Sequence, residues 1–135
     1  MEEFKILPIG MIRSPYKSLN EAPRQGRFSE DVCVLEIFEE YEKGLTMIEN
    51  CKYIIVLYWL HLADRTKLTA VPPHEGVEKG VFATRSQNRP NPIGLSVVKL
   101  LRRNGRFLEV IWIDAIDGTP VLDIKPYSKE LDCVE

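Results

Sequence analysis

The sequence predicts a mostly β protein, a small antiparallel β-barrel with one main helix, and not a Rossmann fold. Three observations lead to this prediction. Six or seven short segments rich in β-branched and aromatic residues are separated by turn residues along the 135-residue chain. These segments do not alternate with helical patterns as βαβ units do. The sequence has neither a G-x-G-x-x-G motif nor a P-loop. A curled antiparallel sheet accounts for all three observations.

The first half of the chain predicts three strands and the helix. Residues 4–12 form the first strand, which Pro8 restricts to an edge position or a bulge. Residues 32–38 form the second. Residues 39–50 predict the main helix because apolar side chains recur there at helical spacing. Residues 53–60 are apolar throughout, so we expect a central strand that is covered on both faces.

The second half predicts the remaining strands. A short apolar segment at 81–83 predicts a strand that leads into a long polar loop. Residues 95–102 and 107–113 flank an Asn104-Gly105 pair, which is a strong hairpin signal between two β-rich segments. Residues 121–127 predict a last strand, interrupted by Pro126.

Composition is typical of one globular domain spanning residues 1–135. Hydrophobic residues make up 44% of the chain and charged residues 28%, and the formal net charge is −2. The longest apolar segment, 53–60, is too short to cross a membrane as a helix. The N-terminus has no apolar signal region, and the three cysteines are scattered without zinc or disulfide spacing. We therefore expect a cytoplasmic protein with no membrane partner and no metal.

The loop at residues 80–95 is the most unusual stretch, because it is long and rich in arginine, asparagine and proline. Pro90 and Pro92 restrict the backbone, which predicts a stiff, extended segment with free carbonyl groups. Gly94 permits a positive φ or close approach of a ligand. A stiff polar loop suits ligand recognition, because it loses little entropy on binding. The alternative is a structural loop whose arginines pair with acids elsewhere.

Charge is distributed unevenly along the chain. Residues 79–106 include seven basic side chains and no acidic one. These cations either form a positive surface that attracts an anion, or they pair with the acidic side chains found elsewhere in the sequence. The sequence leaves both interpretations open.

Two further candidates are ambiguous. His61 follows the apolar segment 53–60, where a histidine serves either as a structural hydrogen-bonding group or as a catalytic one. Asp117 precedes Gly118 and is either a turn residue or part of a site.

Several motifs together resemble the TsaA-like, TrmO-type family. The strongest are G-V-F-A-T-R-S at 80–86 and R-P-N-P-I-G-L-S at 89–96. Three more support them: I-G-M-I-R-S-P-Y at 9–16, P-R-Q at 23–25 and D-G-T-P-V-L-D-I-K-P-Y at 117–127. The resemblance spans nearly the whole chain. It implies an S-adenosylmethionine-dependent methyltransferase that acts on N6 of N6-threonylcarbamoyladenosine at position 37 of tRNA.

The resemblance also implies a fold, partners and site residues. It implies a small β-barrel that forms a homodimer, with the cofactor near the subunit interface and tRNA as the substrate. The implied cofactor contacts are Pro23, Arg24, Gln25, Gly26, His61, Leu62, Arg85, Leu95, Asp114, Ala115, Ile116 and Asp117. The implied substrate contacts are Arg89, Asn91, Lys125 and Tyr127. Bacterial relatives often add a C-terminal domain that this chain lacks, so we expect tRNA to be held differently.

The implied reaction needs alignment and a proton acceptor. The acceptor nitrogen is conjugated to a purine and a carbonyl group, so it is a poor nucleophile that keeps its proton. His61, Asp114 or Asp117 is the candidate acceptor, and histidine is favoured because imidazole exchanges protons near neutral pH. Arg85 and Arg89 are candidates for binding carboxylate or phosphate groups. Two alternatives are a non-enzymatic RNA- or nucleotide-binding barrel and a small-molecule methyltransferase.

Overall fold

Within the described part of the chain there are eight strands, six of which are built from the apolar segments of the sequence. The computed structural model describes residues 1–22 and 26–135. The strands are β1 (Gly10–Arg13), β2 (Cys33–Ile37), β3 (Tyr53–Trp59), β4 (Thr69–Ala70), β5 (Lys79–Gly80), β6 (Ile93–Asn104), β7 (Phe107–Ile111) and β8 (Pro120–Pro126). The helical segments are 3₁₀ turns at Gly26–Phe28, Glu39–Leu45, Ile48–Asn50 and Val81–Ala83, and one short α-helix, α1 (Lys129–Asp132).

Six strands close into an antiparallel barrel in the order β1-β2-β7-β6-β3-β8, and β8 pairs back with β1. Because the barrel is closed, each of the six strands pairs with a neighbour on both sides along at least part of its length. β4 and β5 form a separate two-stranded ribbon. The prediction of a small antiparallel barrel is confirmed.

The barrel interior is filled by every second side chain of its strands. On β3, residues 54, 56 and 58 point inward and are almost fully buried, whereas their neighbours are only half-buried. This period of two is what a sheet with one apolar face requires. The fully buried core side chains include Ile12, Leu35, Ile37, Ile54, Val56, Val98, Leu108, Val110, Ile113 and Val121.

The hairpin predicted at Asn104-Gly105 joins β6 to β7. Asn104 pairs with Phe107, and Gly105 adopts a φ of 62°. Glycine reaches this left-handed conformation without steric cost, which explains the tight reversal. The hairpin prediction is confirmed.

The first strand is shorter than predicted. β1 begins at Gly10, whereas residues 4–7 are exposed. Pro8 has no N–H to donate. Regular pairing begins after it, where the N–H of Ile9 donates to Val121. The prediction of a strand over 4–12 is wrong for its first part.

The segment predicted as the main helix is helical but not an α-helix. It forms two 3₁₀ pieces, Glu39–Leu45 and Ile48–Asn50, separated where Met47 adopts a φ of 75°. A left-handed residue ends a helix because the following N–H groups no longer point back along it. No helix in the described residues is long and apolar enough to cross a membrane.

Two further expectations are corrected. β3 is central, with β6 and β8 on its two sides, but only its inward face is fully buried. A barrel has a single interior, so its outer face depends on loops for cover. The apolar segment 81–83 forms a 3₁₀ turn instead of a strand.

β3 and β6 meet at one end of the barrel through a close contact between Tyr58 and Gly94, which are cross-strand partners. A Cβ atom on Gly94 would lie 2.3 Å from Cε2 of the Tyr58 ring. Tyr58 is only 3% exposed, so its ring has little room to move. Gly94 is therefore required by a protein side chain, where the sequence had suggested a positive φ or a ligand.

We predict that Gly94→Ala lowers the free energy of unfolding by about 1–3 kcal/mol, because the added methyl group overpacks a buried ring. Denaturant unfolding of the wild type and the variant measures the change. Gly44→Ala is the matched control, since nothing lies within 4 Å of its added Cβ. An equal effect of the two substitutions would contradict the packing explanation.

Candidate functional site

A cavity of about 710 Å³ opens at the end of the barrel where β3 finishes and β6 begins. Its walls come from three chain segments: the end of β3 with residues 60–62, residues between Phe82 and Leu95, and residues 114–116 with Thr119. Leu19 and Ala22 complete the lining. Its volume is within the range of small-molecule sites.

Tyr58 joins the barrel core to this cavity. Its hydroxyl donates to Oδ1 of Asp114 at 2.9 Å and lies 2.8 Å from the hydroxyl of Ser96. Burial, and then the negative charge of Asp114, raise the pKa of Tyr58. Tyr58 therefore remains a phenol at neutral pH, which lets it donate to the carboxylate and hold it at the cavity wall.

The turn that follows Asp114 is held by buried hydroxyl groups. Ser14 donates to the carbonyl of Ala115 at 2.8 Å, and Thr119 donates to the carbonyl of Ile116 at 2.7 Å. Both hydroxyl-bearing residues are buried. The turn is therefore anchored to β1 and presents Asp114, Ala115 and Ile116 to the cavity.

Asp117 lies in the same turn but does not line the cavity. Its carboxylate accepts from the backbone N–H of Ser14 and from Lys17 Nζ, each at 3.0 Å. The Lys17 hydrogen bond, followed by the Ser14 N–H, lowers the pKa of Asp117. These contacts show a side chain that ties the turn to the chain after β1.

Arg89 braces the loop from within. Its Nη1 donates to the carbonyls of Thr84 and Ser86 at 3.0 and 2.9 Å. Arg89 also lines the cavity. Its Nη1 therefore stabilises the loop, while the side chain still forms part of the cavity wall. Because Thr84 and Ser86 are the sequence neighbours of Arg85, these two hydrogen bonds fix the backbone on both sides of Arg85.

The proline segment of the loop is tied to residues 60–65, and its carbonyls are not free as predicted. The carbonyl of Pro92 accepts from the N–H of Leu60, and that of Pro90 accepts from Arg65 Nε, both at 2.8 Å. Arg65 also donates to Oδ1 of Asn91 at 3.3 Å. The backbone bends at 89–91 instead of running straight. Rigidity comes from these tertiary hydrogen bonds as well as from the prolines.

The seven basic side chains of residues 79–106 divide into two groups. Lys79, Arg102, Arg103 and Arg106 each have a carboxylate partner. Arg85, Arg89 and Lys99 have none within residues 1–22 and 26–135. Both interpretations of the charge pattern therefore hold, each for part of the set. Of the second group, Arg85 is exposed, lines the cavity and makes no hydrogen bond to any described residue.

A second cavity of about 980 Å³ adjoins the first. Residues 70–75 form one side of it, and residues 82–88 form the other. The two cavities share the wall built by Phe82, Thr84, Arg85, Ser86 and Gln87. Two ligands bound on either side of this wall would meet at its edge.

The structure brings together most of the site residues inferred from sequence. The first cavity is lined by His61, Leu62, Arg85, Arg89, Asn91, Leu95, Asp114, Ala115 and Ile116. Lys125 and Tyr127 lie elsewhere, because Lys125 pairs opposite Ile55 and the N–H of Tyr127 donates to Tyr53, at the other end of β3. Gly26 begins a 3₁₀ turn. Pro23, Arg24 and Gln25 lie outside the described residues.

Sequence reasoning missed Tyr58 and Phe82 as site residues. Tyr58 was assigned to the strand core, although a tyrosine among inward-facing residues needs a hydrogen-bond partner, and this was the available signal. Phe82 was assigned to a strand, but the 3₁₀ turn leaves it 81% exposed at the wall between the two cavities.

The donor set suits an organic ligand that carries both charge and apolar surface. Arg85 offers an exposed guanidinium for a carboxylate, Asp114 offers a negative charge, and Leu60, Leu95 and Ile116 offer apolar contact. Among the described residues, no group of three or more His, Cys, Asp or Glu side chains is placed to hold a metal ion.

These features define a class: a small closed β-barrel with a polar two-part cavity at one end. The chain belongs to the family described as the tRNA-methyltransferase O N-terminal domain, which it matches over residues 11–133. A crystal structure of TrmO from Pseudomonas aeruginosa superposes with a TM-score of 0.81 at 35% identity, covering 98% of this chain and 60% of that one.

Archaeal relatives are more similar in sequence. The S-adenosyl-L-methionine-binding protein of Archaeoglobus fulgidus is 58% identical over 127 residues, covering 94% of this chain and 91% of that protein. A longer protein of the same organism, whose name also describes S-adenosyl-L-methionine binding, is 60% identical over 126 residues. This chain spans 34% of that longer protein.

We predict that Asp117→Asn destabilises the protein by about 1 kcal/mol at neutral pH, because it removes an ion pair and a charge-assisted hydrogen bond. The folded-state pKa of Asp117 lies below the ordinary value of 3.8. The carboxylate therefore makes its full contribution to the free energy of unfolding above that pH, and this contribution is lost as the pH falls through the lowered pKa.

Denaturant unfolding of both proteins across a pH series measures this contribution. Asp123→Asn is the control, because that carboxylate is half-exposed and its partners, Lys125 and the backbone N–H of Ile124, both lie within two residues of it in the sequence. A difference between wild type and Asp117→Asn that stays constant down to pH values of about 2 would contradict the prediction.

Proposed function

We propose that this chain is an S-adenosylmethionine-dependent methyltransferase that methylates N6 of N6-threonylcarbamoyladenosine at position 37 of tRNA. The observation that carries the proposal is the wall shared by two cavities, at which Arg85 stands without an ionic partner among the described residues. A methyl transfer needs a donor and an acceptor side by side, and two adjoining cavities provide that arrangement. Family membership supports the class of reaction.

The first cavity suits the cofactor. S-adenosylmethionine carries a carboxylate, a sulfonium cation and an apolar-faced adenine. Arg85 would hold the carboxylate, Asp114 would face the cation, and Leu60, Leu95 and Ile116 would contact the adenosine. The relatives named as S-adenosyl-L-methionine-binding proteins support this assignment.

The second cavity suits the acceptor nucleoside. Phe82 offers an exposed aromatic face on which a purine can stack, and Gln87 offers an amide that can pair with the edge of adenine. Both side chains also line the first cavity, so a base held by them would lie beside the bound cofactor. Arg89, whose Nη1 is used by the loop, would direct its remaining N–H groups to the threonyl carboxylate.

Catalysis would rest on alignment and on removal of one proton. When bound, the cofactor supplies an electrophilic methyl group. The shared wall would hold the acceptor nitrogen in line with it, which supplies several kcal/mol of the barrier reduction. His61, exposed at the edge of the first cavity, would accept the N6 proton. Tyr58 would hold the carboxyl group of Asp114 in a fixed direction through its hydrogen bond.

We also propose that the protein is a homodimer, as the resemblance implies. Leu62, Phe82 and Leu95 are 57%, 81% and 47% exposed around the mouth of the first cavity. Exposed apolar side chains grouped around a site are typical of a surface that another protein chain covers.

We predict that Arg85→Ala weakens S-adenosylmethionine binding by about 10- to 100-fold, because it removes a charge-assisted hydrogen bond to the ligand carboxylate. Titration calorimetry measures the dissociation constants. Arg102→Ala is the matched control, since Arg102 is exposed and pairs with Glu109 away from both cavities. No binding by the folded wild type, with or without tRNA, would favour a non-enzymatic binding barrel.

We predict that His61→Ala lowers kcat by about 10²- to 10⁴-fold with little change in cofactor affinity, because it removes the proton acceptor. The assay follows transfer of a labelled methyl group to tRNA with and without the threonylcarbamoyl modification. An unchanged kcat in the variant would exclude His61 as the acceptor. Methylation of free modified nucleoside as efficiently as tRNA would favour a small-molecule methyltransferase.

A further inference from the structure

Three aromatic side chains form a row across the outside of the barrel, away from both cavities. The rings of Trp112 and Tyr53 stack with centroids 5.8 Å apart and an angle of 12° between their planes. Tyr127 meets Tyr53 edge to face at 6.3 Å. All three side chains are half-buried, so each keeps some surface toward solvent. We refer to Trp112, Tyr53 and Tyr127 as the aromatic row.

Cations accompany the row. The Arg27 guanidinium lies 3.9 Å from the centre of the Trp112 ring, and Lys52 Nζ lies 5.4 Å from that of Tyr53. Lys99 is the cross-strand partner of Tyr53. None of these three cations has a carboxylate partner in the part of the chain that the structure describes. The surface is therefore both aromatic and positively charged.

The backbone is strained at the centre of this surface. Trp112 adopts a φ of 80°, in the left-handed region that bulky side chains rarely occupy. Strain of this kind is concentrated at functional sites. The left-handed turn follows β7 directly, so it redirects the chain between the row at Trp112 and the cavity wall at Asp114.

The row and the first cavity are bordered by the same chain segments. Residues 112 and 114 lie on either side of buried Ile113, and Tyr53 and Tyr58 are five residues apart on β3. At about 3.3 Å per residue, that separation is about 17 Å along the strand. It corresponds to about five stacked nucleotides at about 3.4 Å each.

We propose that the aromatic row, with Arg27, Lys52 and Lys99, binds the RNA strand that flanks the methylated nucleotide. The proposal rests on the proposed function. The cations contact phosphate groups, and exposed ring surface stacks against bases, a combination typical of sequence-tolerant single-strand binding. A protein partner fits less well, because it would have to bury three cations that have no carboxylate partner among the described residues. The surface therefore supplies RNA affinity within this chain.

The test uses the whole chain and two charge reversals, Arg27→Glu and Lys52→Glu. Fluorescence anisotropy with a labelled anticodon stem-loop carrying N6-threonylcarbamoyladenosine measures RNA affinity across a salt series. We expect each reversal to weaken RNA binding at least tenfold and to make the salt dependence shallower. Lys43→Glu is the matched control, since Lys43 is exposed, lies in the 3₁₀ segment Glu39–Leu45 and is not part of the aromatic row. We expect it to change RNA affinity less than twofold.

A third variant tests stacking apart from charge. Trp112→Gly removes the ring, while glycine accepts the left-handed backbone at this position. We expect weaker RNA binding with an unchanged salt slope. Calorimetric affinity for S-adenosylmethionine should stay within twofold of the wild type in all variants, which shows that the fold and the first cavity are intact.

Several outcomes would overturn the proposal, and they differ from failure of the proposed function. If the reversals weaken RNA binding no more than Lys43→Glu does, the row is not the RNA surface. If they alter the oligomeric state in sedimentation and leave RNA affinity unchanged, a second copy covers the row. If the wild type binds the cofactor but no RNA, both this proposal and the tRNA substrate fail. If the variants methylate tRNA with an unchanged KM, the proposal that the aromatic row binds RNA fails, while the proposed function stands.

Discussion

The contact between Tyr58 and Gly94 links the barrel to its cavity. The ring can lie inside the barrel only because Gly94 has no Cβ atom, which would otherwise be 2.3 Å from it. From that position the hydroxyl reaches Asp114 and Ser96. One side chain therefore fills the end of the core and fixes the only charged group of the 114–116 segment. Packing and site geometry cannot vary independently at this point, because the same ring determines both.

The loop at residues 84–92 depends on a second set of contacts, which distribute roles among its polar groups. Arg89 and Arg65 occupy the loop carbonyls, and Asn91 accepts from Arg65. With these groups committed to structure, Arg85 is left as an exposed guanidinium on a fixed backbone. Such a group loses little conformational freedom when an anion binds, which favours tight recognition. The rigidity of the loop and the availability of Arg85 therefore have the same origin.

Basic side chains are paired with carboxylates on one part of the surface and lack such partners among the described residues on others. Near the β6–β7 hairpin, Arg102, Arg103 and Arg106 are neutralised by Glu109, Glu49 and Glu36. At the shared cavity wall and along the aromatic row, cations stand without carboxylate partners among the described residues. A chain with a formal net charge of −2 can therefore present two positive surfaces, because its acids are placed elsewhere. In the proposed reaction the first surface would bind the carboxylate group of the cofactor, and the second would bind the phosphate groups of the RNA.

The sequence by itself determined the class of fold and indicated nine of the residues that line the first cavity. Alternation of apolar residues indicated the strands, and the absence of βα alternation excluded a Rossmann domain. The motifs that resemble the TrmO-type family then indicated His61, Arg85 and Asp114, which the structure brings to one cavity. Local periodicity was sufficient for the fold class, because it is a property of the chain alone, whereas these site residues were implied by the resemblance to the family.

Only the tertiary structure decided how the polar residues divide between binding and support. Arg85 has no hydrogen-bond or ionic partner among the described residues, whereas Arg89 donates to two carbonyls. Nothing local distinguishes the two arginines, because their partners depend on how the loop folds. The partner of Gly94 is Tyr58, far away in the sequence, and Trp112 adopts a φ of 80° directly after β7 ends. The 39–50 segment has helical periodicity, yet it forms two 3₁₀ pieces on either side of left-handed Met47. Hydrogen-bond partners and close contacts between distant residues arise only when the barrel closes.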